Sequence, residues 1–465
     1  MSLAAVAVGV WRIRAVDRSP AADAPSEATS ALAVTPAPPP APRCVELSPE
    51  PFVIGDAPPP HPQATALPGP AGPALEEGGL APAADPAEEA EDPIAPFAVE
   101  IGRGAVFEGG FAAGVRRDAE GGAVAMIATM GADGRGGKLV RLGRSRGDLD
   151  PPVVAGAGAS VLAVLLEPNA GGRAIRLAKV TGADVTWGAE LEEGRDESLA
   201  VDVAAAGGRA LLVWDDTAGH GEAAARSSVM LASFDVATMR IVDPARPVSA
   251  NRADAGSPRL CPRPGGYWLG YLAHADEDPG KHKPKQDDGD ESDDQGEAIT
   301  TSWIELEPLD ERGTPTGAAR AITPKSGHVL SFDLEPGENG NALVAWRDDD
   351  TPTGSSGGKV SATVVRLGGG GEPHVLVEAA GGAGAPDLLP GWISLASVNG
   401  ATRLAAITPE GALLDDLAPE PTLGAGEPIA ATGDAILWAR PLGKAMRLAV
   451  VRCRPRAAPG DGGAR

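Results

Sequence analysis

Short apolar runs recur through most of this chain and limit the folds that it can adopt. Seven runs of five to seven residues start 37 to 74 residues apart. No apolar stripe with a period of 3.6 residues persists for about 12 residues, so the runs predict β-strands rather than amphipathic helices. The runs are 123–129, 160–166, 209–215, 267–273, 341–347, 392–398 and 435–439.

Each run belongs to a longer unit that repeats about every 50 residues. A glycine or asparagine turn precedes most runs, as at 207–208 and 339–340, and a second apolar run follows after a polar loop, as at 361–367. This order of strands and turns predicts small antiparallel sheets of four strands, none of which can bury its faces alone. Such sheets are stable when they stack against their neighbours around a ring.

The repeats resemble those of β-propellers, particularly the divergent repeats of secreted bacterial proteins, over about 360 of the 465 residues. Trp214-Asp215 resembles the ending of WD40 repeats but occurs once, and the Asp-box pattern of sialidase-type blades is absent. The resemblance therefore implies an architecture without a specific family. We predict an all-β fold, a single β-propeller of seven four-stranded blades in which the seven apolar runs are the inner strands. We expect 97–101 and 105–107 to pair with the last blade and close the ring, which removes an open sheet edge.

The composition divides the chain into four parts. Residues 1–17 are a short apolar segment, and 18–95 are a Pro/Ala-rich linker, with 20 prolines from Pro20 to Pro96. Such a linker buries too little apolar surface to offset the entropy of ordering, so we expect disorder with polyproline II stretches. Residues 96–455 are assigned to the propeller, with an acidic loop insertion at 275–298, and 456–465 to a disordered tail.

The cysteines suggest how the ends of the domain are joined. Residues 44–55 alternate enough to dock as a strand within the linker, and Cys44 begins them. Cys44, Cys261 and Cys453 lie far apart without a CxxC pair, which excludes a zinc ribbon or a thioredoxin-like site. In an oxidising compartment a Cys44–Cys453 disulfide would fasten the two ends of the domain. The alternative is three isolated buried thiols.

Charge and hydropathy narrow the partners and the location. The net charge of −24 argues against nucleic acid, because a negative surface repels phosphates. No run of about 18 apolar residues occurs, which excludes a polytopic membrane protein.

The apolar start lacks the basic residues of a secretory signal. It is either the end of a signal or anchor helix, or incidental. Together with the Pro/Ala-rich spacer it predicts a membrane tether and a location in the cell envelope, periplasmic or extracellular. The cytoplasm is the alternative.

Carboxylates follow two of the runs in equivalent positions. Asp215-Asp216 and Asp348–Asp350 would therefore lie on one face of the ring. Paired carboxylates there would serve as general acid and base or bind a cation. We favour a structural role in turns, because Asp side chains accept hydrogen bonds from nearby backbone amides. The acidic segment 276–297 lacks the ligand order of an EF-hand and is interpreted as a solvated insertion.

Three further patterns contain residue types that occur in catalytic or phosphate-binding sites. His220 and His274 each follow a run and would share the face of Asp215, without HxH or HExxH spacing. Ser356 lies in a GxSxG match, but no helix follows, which favours a Gly/Ser hairpin loop. Residues 131–138 miss the P-loop spacing by one residue and are interpreted as a hairpin.

No pattern forms a complete constellation, so we assign no catalytic, cofactor-binding or metal-binding residue. The first hypothesis is a non-catalytic binding or scaffold module of the cell envelope, a monomer that binds an unidentified protein or carbohydrate. The second hypothesis is a propeller-type hydrolase or lyase that uses loop Asp and His residues on one face of the ring. The third is a cytoplasmic interaction hub.

Overall fold

A computed structural model describes the chain from Arg43 to Pro455 with gaps. Within the described residues all regular structure is β-strand apart from one 3-10 turn, Glu338–Gly340. None of this part of the chain forms a helix long and apolar enough to cross a membrane. The segment 1–17, the tail 456–465 and most of 18–95 lie outside it. The described residues are 43–50, 52–55, 99–145, 149–169, 172–194, 199–218, 226–249, 254–276, 300–349, 358–377, 383–397, 402–420 and 425–455.

Seven antiparallel sheets form the blades, and two N-terminal strands precede them. The N-terminal strands are β1 (Cys44–Glu46) and β2 (Phe52–Ile54). Blade 1 contains β3 (Val99–Phe107), β4 (Gly110–Ala119), β5 (Gly122–Met130) and β6 (Lys138–Ser145). Blade 2 contains β7 (Val153–Ala157), β8 (Ser160–Asn169), β9 (Gly172–Thr181) and β10 (Asp184–Gly194). Blade 3 contains β11 (Val201–Ala206), β12 (Arg209–Ala218), β13 (Arg226–Asp235) and β14 (Arg240–Pro247).

The remaining four blades follow the same order. Blade 4 contains β15 (Asp254–Arg263), β16 (Gly266–Asp276), β17 (Thr300–Leu309) and β18 (Arg320–Ala321). Blade 5 contains β19 (Val329–Pro336), β20 (Ala342–Asp348), β21 (Lys359–Arg366), β22 (Gly369–Gly370) and β23 (His374–Val377). Blade 6 contains β24 (Ala383–Leu389), β25 (Trp392–Ser397), β26 (Arg403–Ala406) and β27 (Ala418–Pro419). Blade 7 contains β28 (Glu427–Thr432), β29 (Ala435–Leu442) and β30 (Ala445–Cys453).

The first strand of each blade packs beside the first strand of the next blade, and the cycle closes from β28 to β3. We call β3, β7, β11, β15, β19, β24 and β28 the inner strands. This ring confirms the predicted all-β propeller of seven blades. The prediction that the apolar runs are the inner strands is wrong. They are the second strands of blades 2 to 7 and the third strand of blade 1.

The N-terminal strands close the ring. Both β1 and β2 pair antiparallel with β30, so that Cys44 lies opposite Cys453 and Ile54 lies opposite Met446. Cys44 and Cys453 form a disulfide, and Cys261 is a buried free thiol. The predicted closure by 97–101 and 105–107 is wrong, because Val99–Phe107 is the single inner strand of blade 1. A domain boundary at residue 96 therefore leaves out two strands of the propeller.

Strand direction gives the ring two distinct faces. The inner strands all begin at one face, which we call the loop face, and end at the other, which we call the terminus face. Their last residues, such as Val106 and Pro336, surround one end of the central channel. Arg43 accepts a backbone hydrogen bond from Arg454 at 3.1 Å, so the chain enters and leaves the ring at the terminus face.

Apolar clusters between neighbouring blades hold the ring together. Between blades 3 and 4, Leu211 and Leu231 pack with Tyr267, Tyr271 and Trp303. Each of these side chains is at most 5% exposed, and burial of a large apolar side chain stabilises by roughly 1.5–3 kcal/mol. Further tryptophans lie in similar clusters, as expected from packing between blades; they are Trp214, Trp268, Trp346, Trp392 and Trp438.

The connection between β2 and blade 1 starts and ends at nearly the same point. A Cβ atom on Gly55 would lie only 2.8 Å from Cγ2 of Val99, although 43 residues separate the two positions. Segment 56–98 therefore does not span a distance between parts of the propeller. A spacer, as the sequence suggested for the whole linker, would have to lie before Arg43.

Replacement of residues 57–97 by a five-residue Gly/Ser linker is expected to preserve the fold. The shorter connection should raise the free energy of unfolding by about 1.5 kcal/mol, because loop-closure entropy grows with loop length. Urea unfolding followed by tryptophan fluorescence measures the change. A loss of stability would show that the replaced residues contribute contacts to the ring.

Candidate functional site

The aspartates that follow the apolar runs hold the backbone at the loop face. One Asp215 oxygen accepts a hydrogen bond from the amide of Ala200 at 2.7 Å, and the other accepts one from Ser257 at 2.9 Å. Asp348 accepts one from the amide of His328 at 3.2 Å. Ala200 and His328 each precede an inner strand directly, so the two aspartates have the same role in different blades. Both aspartates accept hydrogen bonds from backbone amides, which is the structural role that the sequence favours.

The other residues singled out in the sequence do not gather around these aspartates in the described residues. Asp216 is buried, and Asp349 forms an ion pair with Arg347 at 3.0 Å. His274 lies in β16, where burial lowers its pKa. Residues 131–137 form the turn between β5 and β6, and Lys138 begins β6, so the predicted hairpin is confirmed. His220, Asp350, Ser356 and nearly all of 276–297 lie outside the described residues.

The central channel is the site that the local sequence patterns missed. Its larger chamber, of about 250 Å³, lies among the inner strands toward the terminus face. A smaller chamber of about 100 Å³ lies where β3, β24 and β28 run side by side nearer the loop face, and we call it the loop-face chamber. Arg103 lines both chambers. The loop-face chamber is lined by Ile101, Gly102, Arg103, Asp387, Leu389, Glu427, Pro428 and Ile429.

Arg103 crosses the channel. Its guanidinium forms ion pairs with Asp333 and, at 3.2 Å, with Glu335, and it donates a hydrogen bond to the carbonyl oxygen of Leu388 at 3.0 Å. Arg103 belongs to blade 1 and the two carboxylates to blade 5, and no blade of a seven-membered ring is farther from blade 1. The side chain therefore bridges opposite walls and separates the two chambers.

Two aspartates join neighbouring inner strands in the same way. Asp202 accepts hydrogen bonds from its neighbour Val203 at 2.9 Å and from Leu260 of the next blade at 2.7 Å. Asp333 accepts the equivalent bonds from Leu334 at 2.9 Å and from Leu388 at 2.7 Å. These carboxylates hold adjacent inner strands together, because hydrogen bonds from backbone amides to a charged acceptor are stronger than neutral ones.

Asp387 and Glu427 differ from the other channel carboxylates. Neither has a hydrogen bond or ion pair to any residue that the structure describes, and both line the loop-face chamber. Although both are exposed to the channel, the enclosing strands restrict hydration and raise the pKa of each group. For Asp387 this effect, and then the charge of Asp333, raise the pKa to about 7.

The channel as a whole contains more carboxyl groups than guanidinium groups. Restricted hydration raises the pKa of Glu335 to about 8, against the attraction of Arg103. Five carboxylates (Asp202, Asp333, Glu335, Asp387 and Glu427) face two guanidiniums (Arg103 and Arg259). In the part of the chain that the structure describes, no three His, Cys, Asp or Glu side chains are arranged to hold a metal ion.

A second unusual carboxylate lies between blades 3 and 4. Glu305 accepts hydrogen bonds from Trp303 at 3.0 Å and Tyr271 at 3.2 Å, and Lys325 lies 3.6 Å away. Glu307, on the same face of β17, is 7% exposed, and its Oε2 has no hydrogen-bond partner among the described residues. Burial, and then the charge of Glu305, raise the pKa of Glu307 to about 7.

Glu307→Gln is expected to stabilise the protein above pH 7 and to have little effect near pH 5. Between the unfolded pKa of 4.5 and the folded value of about 7, the folded state binds more protons, so wild-type stability falls as the pH rises. The neutral amide removes this loss, by roughly 1–3 kcal/mol at pH 8.5. Urea unfolding at both pH values measures it.

Glu305→Gln is the matched control for Glu307→Gln. It weakens three existing contacts and is therefore expected to destabilise the protein at both pH values. Equal effects of Glu307→Gln at pH 5 and pH 8.5 would contradict a buried carboxyl with a raised pKa.

Comparisons with known proteins support no assignment beyond the architecture. No family model matches the chain, and no curated protein matches it. Among solved structures, the propeller domain of the trilobed protease from Pyrococcus furiosus is 10% identical, with 79% of this chain and 95% of that chain covered and a TM-score of 0.44. An α-L-arabinanase from Penicillium chrysogenum is 11% identical, with 75% and 92% covered and a TM-score of 0.41.

A protein of unknown function from Dyadobacter fermentans is 12% identical, with 77% of this chain and 96% of that chain covered and a TM-score of 0.39. Similarities at these identities and TM-scores carry no argument about substrate or activity. The seven-bladed propeller rests on the strand pairing of the chain itself, and no specific propeller family is indicated.

Proposed function

We propose that this protein is a non-catalytic binding module of the cell envelope that holds a positively charged group of its ligand in the loop-face chamber. The observation that supports this most directly is the pair Asp387 and Glu427, which have no partner among the described residues. The nearby Arg103 is already engaged by two other carboxylates and a carbonyl oxygen. A bound cation would supply the missing counter-charge.

The size of the chamber limits what can enter it. About 100 Å³ is the volume of roughly three water molecules, whereas pockets for whole small-molecule ligands measure about 300–1,000 Å³. The chamber therefore suits a single ammonium or guanidinium group, and the rest of the ligand would lie outside it.

The ring closure supports the location. The Cys44–Cys453 disulfide fastens β1 to β30, and such bonds persist in oxidising compartments such as the periplasm or the cell exterior. Non-reducing peptide mapping of the native protein tests this directly. A fully reduced pair in protein isolated without exposure to air would favour the cytoplasmic alternative.

Binding is tested with 1,5-diaminopentane as the probe, by isothermal titration of the full chain at low salt. We expect the wild type to bind it and Asp387→Asn/Glu427→Gln to bind at least about tenfold more weakly, since charge-assisted hydrogen bonds are lost. The control variant Glu108→Gln/Glu338→Gln also removes two carboxylates, from exposed turns at the terminus face, and it should bind the diamine like the wild type. Equal binding by all three proteins would contradict the proposal.

The same titration has an expected pH dependence. Asp387, with its pKa near 7, is largely neutral at pH 5.5 and ionised at pH 8.5, so the diamine should bind more tightly at the higher pH. The hydrolase alternative predicts a different result: the wild type would hydrolyse 4-nitrophenyl esters or glycosides. A neutral carbohydrate ligand would bind independently of both charges.

A further inference from the structure

The larger chamber of the channel has a rim without charged side chains. Where the inner strands end at the terminus face, each of blades 1 to 6 contributes one apolar residue or glycine to the lining. We call these residues the apolar rim; they are Val106, Gly156, Ala205, Pro262, Pro336 and Pro390. The chamber therefore offers apolar contacts to whatever enters it from this face.

The backbone beside the rim offers few hydrogen-bond donors. The amide of Leu260 faces the neighbouring inner strand and donates to Asp202 at 2.7 Å. Nitrogens two residues apart face the same edge of a strand, so the next nitrogen on this edge belongs to Pro262, which has no N–H. Blade 5 repeats the arrangement with Leu334, whose amide is bonded to an aspartate, and Pro336. In these blades the wall beside the rim has no free amide donor.

The floor of the larger chamber, in contrast, is polar. The guanidinium of Arg103 donates to Asp333, to Glu335 and to the carbonyl oxygen of Leu388 through Nη1 and Nη2. Among the described residues its Nε has no hydrogen-bond partner, and neither has Oε1 of Glu335. Both side chains line this chamber, and Glu335 does not line the loop-face chamber. A donor and an acceptor are thus available side by side.

We propose that the larger chamber binds a small uncharged amphiphile, with a hydroxyl group between Arg103 and Glu335 and an apolar body against the apolar rim. A hydroxyl group donates and accepts at once. An ammonium group could not accept from Arg103, and a carboxylate could not donate to Glu335. A cavity of about 150 Å³ holds benzene, so the 250 Å³ here admits a six-membered ring with its substituent.

This site is separate from the loop-face chamber and does not depend on the proposed function. Asp387→Asn/Glu427→Gln, which removes the charges of the loop-face chamber, should bind the amphiphile within about twofold of the wild type.

The test compares four probes that share a six-membered carbon ring, by saturation-transfer NMR titration of the full chain at pH 7. We expect cyclohexanol to bind at least about tenfold more tightly than cyclohexylammonium or cyclohexanecarboxylate, because an incompletely paired charge is costly to bury. Myo-inositol should also bind at least about tenfold more weakly, since most of its hydroxyl groups would lose water against the apolar rim. This series requires no variant.

Two pairs of variants locate the site. Val106→Asp places a charge on the rim, at a side chain that is 38% exposed, and should weaken cyclohexanol binding about tenfold. Val375→Asp makes the same change at an exposed valine of β23, outside the chamber, and should have no effect. Glu335→Leu removes the acceptor and should weaken binding about fivefold, whereas Glu335→Gln keeps a donor and an acceptor and should bind within about twofold of the wild type.

Three results would overturn the proposal. Equal cyclohexanol binding by Val106→Asp and Val375→Asp would place the probe elsewhere on the protein. Tighter binding of cyclohexylammonium than of cyclohexanol would show that the chamber selects a cation, and equal binding of myo-inositol would show that the apolar rim contributes nothing. If cyclohexanol does not bind the wild type, the chamber is not a site for amphiphiles.

Discussion

Loss of the Cys44–Cys453 disulfide is expected to cost the protein about 2–5 kcal/mol of unfolding free energy. The bond joins residues 409 positions apart and fixes the strand that completes blade 7. Without it, β1 and β2 are held on β30 by hydrogen bonds, by the contacts of Arg43, by the ion pair between Glu46 and Arg447 and by the packing of Ile54 in an apolar cluster. Guanidinium unfolding of Cys44→Ser and of the wild type, with and without reductant, measures the difference.

Three comparisons make this result specific. Cys44→Ser/Cys453→Ser should lose about as much stability as Cys44→Ser, because the two thiols stabilise as one bond. Reductant should destabilise the wild type and leave the double variant unchanged. Both sulfurs belong to residues that are at most 3% exposed, so slow reduction under native conditions is expected. If the oxidised wild type and the double variant unfold at the same denaturant concentration, the bond does not lock the ring.

The sequence predicted the architecture because its strongest signals are local. The runs 209–215 and 267–273 are apolar throughout most of their length since second strands are covered by neighbouring blades on both sides. Their number equals the number of blades, and the alternation in 44–55 correctly marked a docking strand. The pairing of Cys44 with Cys453 follows from the same closure, which brings the first and last strands together.

The inner strands were misassigned for a physical reason. They line the channel, so small and charged residues interrupt their apolar positions: Val201–Ala206 is Val-Asp-Val-Ala-Ala-Ala, and β19 contains Asp333 and Glu335. A search for apolar runs therefore passes over these strands and finds the second strands instead. The error moved blades 2 to 7 by one strand and blade 1 by two, and it led to the wrong closure at 97–101.

The channel could not be found from local spacing. Arg103 and Asp333 lie 230 positions apart, and Asp387 and Glu427 lie on different blades, so no motif joins them. The visible clusters, Asp215-Asp216 and Asp348–Asp350, look more like a site because their members are adjacent in sequence. One signal was available in the sequence. Asp202, Asp333 and Asp387 each lie four or five residues before the glycine of the turn that follows an inner strand, and a buried Val or Leu comes directly after each aspartate.

Arg103→Met is expected to destabilise the protein by about 2–3 kcal/mol. Removal of one partner from a fully buried ion pair costs about 3–5 kcal/mol, and we expect less here because the Arg103 side chain is 40% exposed. The variant leaves Glu335 without the guanidinium at 3.2 Å, and it leaves Asp333, which is 4% exposed, with the longer ion pair to Arg259 at 3.9 Å. Urea unfolding measures the loss.

The pH dependence of the Arg103→Met effect identifies its cause. Glu335 has a pKa of about 8 in the wild type, well above the 4.5 of an unperturbed glutamate, so the folded state retains a proton between these values. Loss of the guanidinium raises the pKa of Glu335 further, so the stability of the variant continues to fall above pH 8 while the wild type levels off. The cost of the substitution should therefore grow from pH 7 to pH 9.

Two variants separate this electrostatic effect from a loss of packing. Arg452→Met removes a pair with Asp434 in which both side chains are about half exposed, and it should cost less than about 1 kcal/mol. Adding Glu335→Gln to Arg103→Met should recover part of the stability above pH 8, because the uncompensated carboxylate is gone. If the cost of Arg103→Met is independent of pH and unchanged by Glu335→Gln, Arg103 acts as a spacer rather than as the charge that joins blade 1 to blade 5.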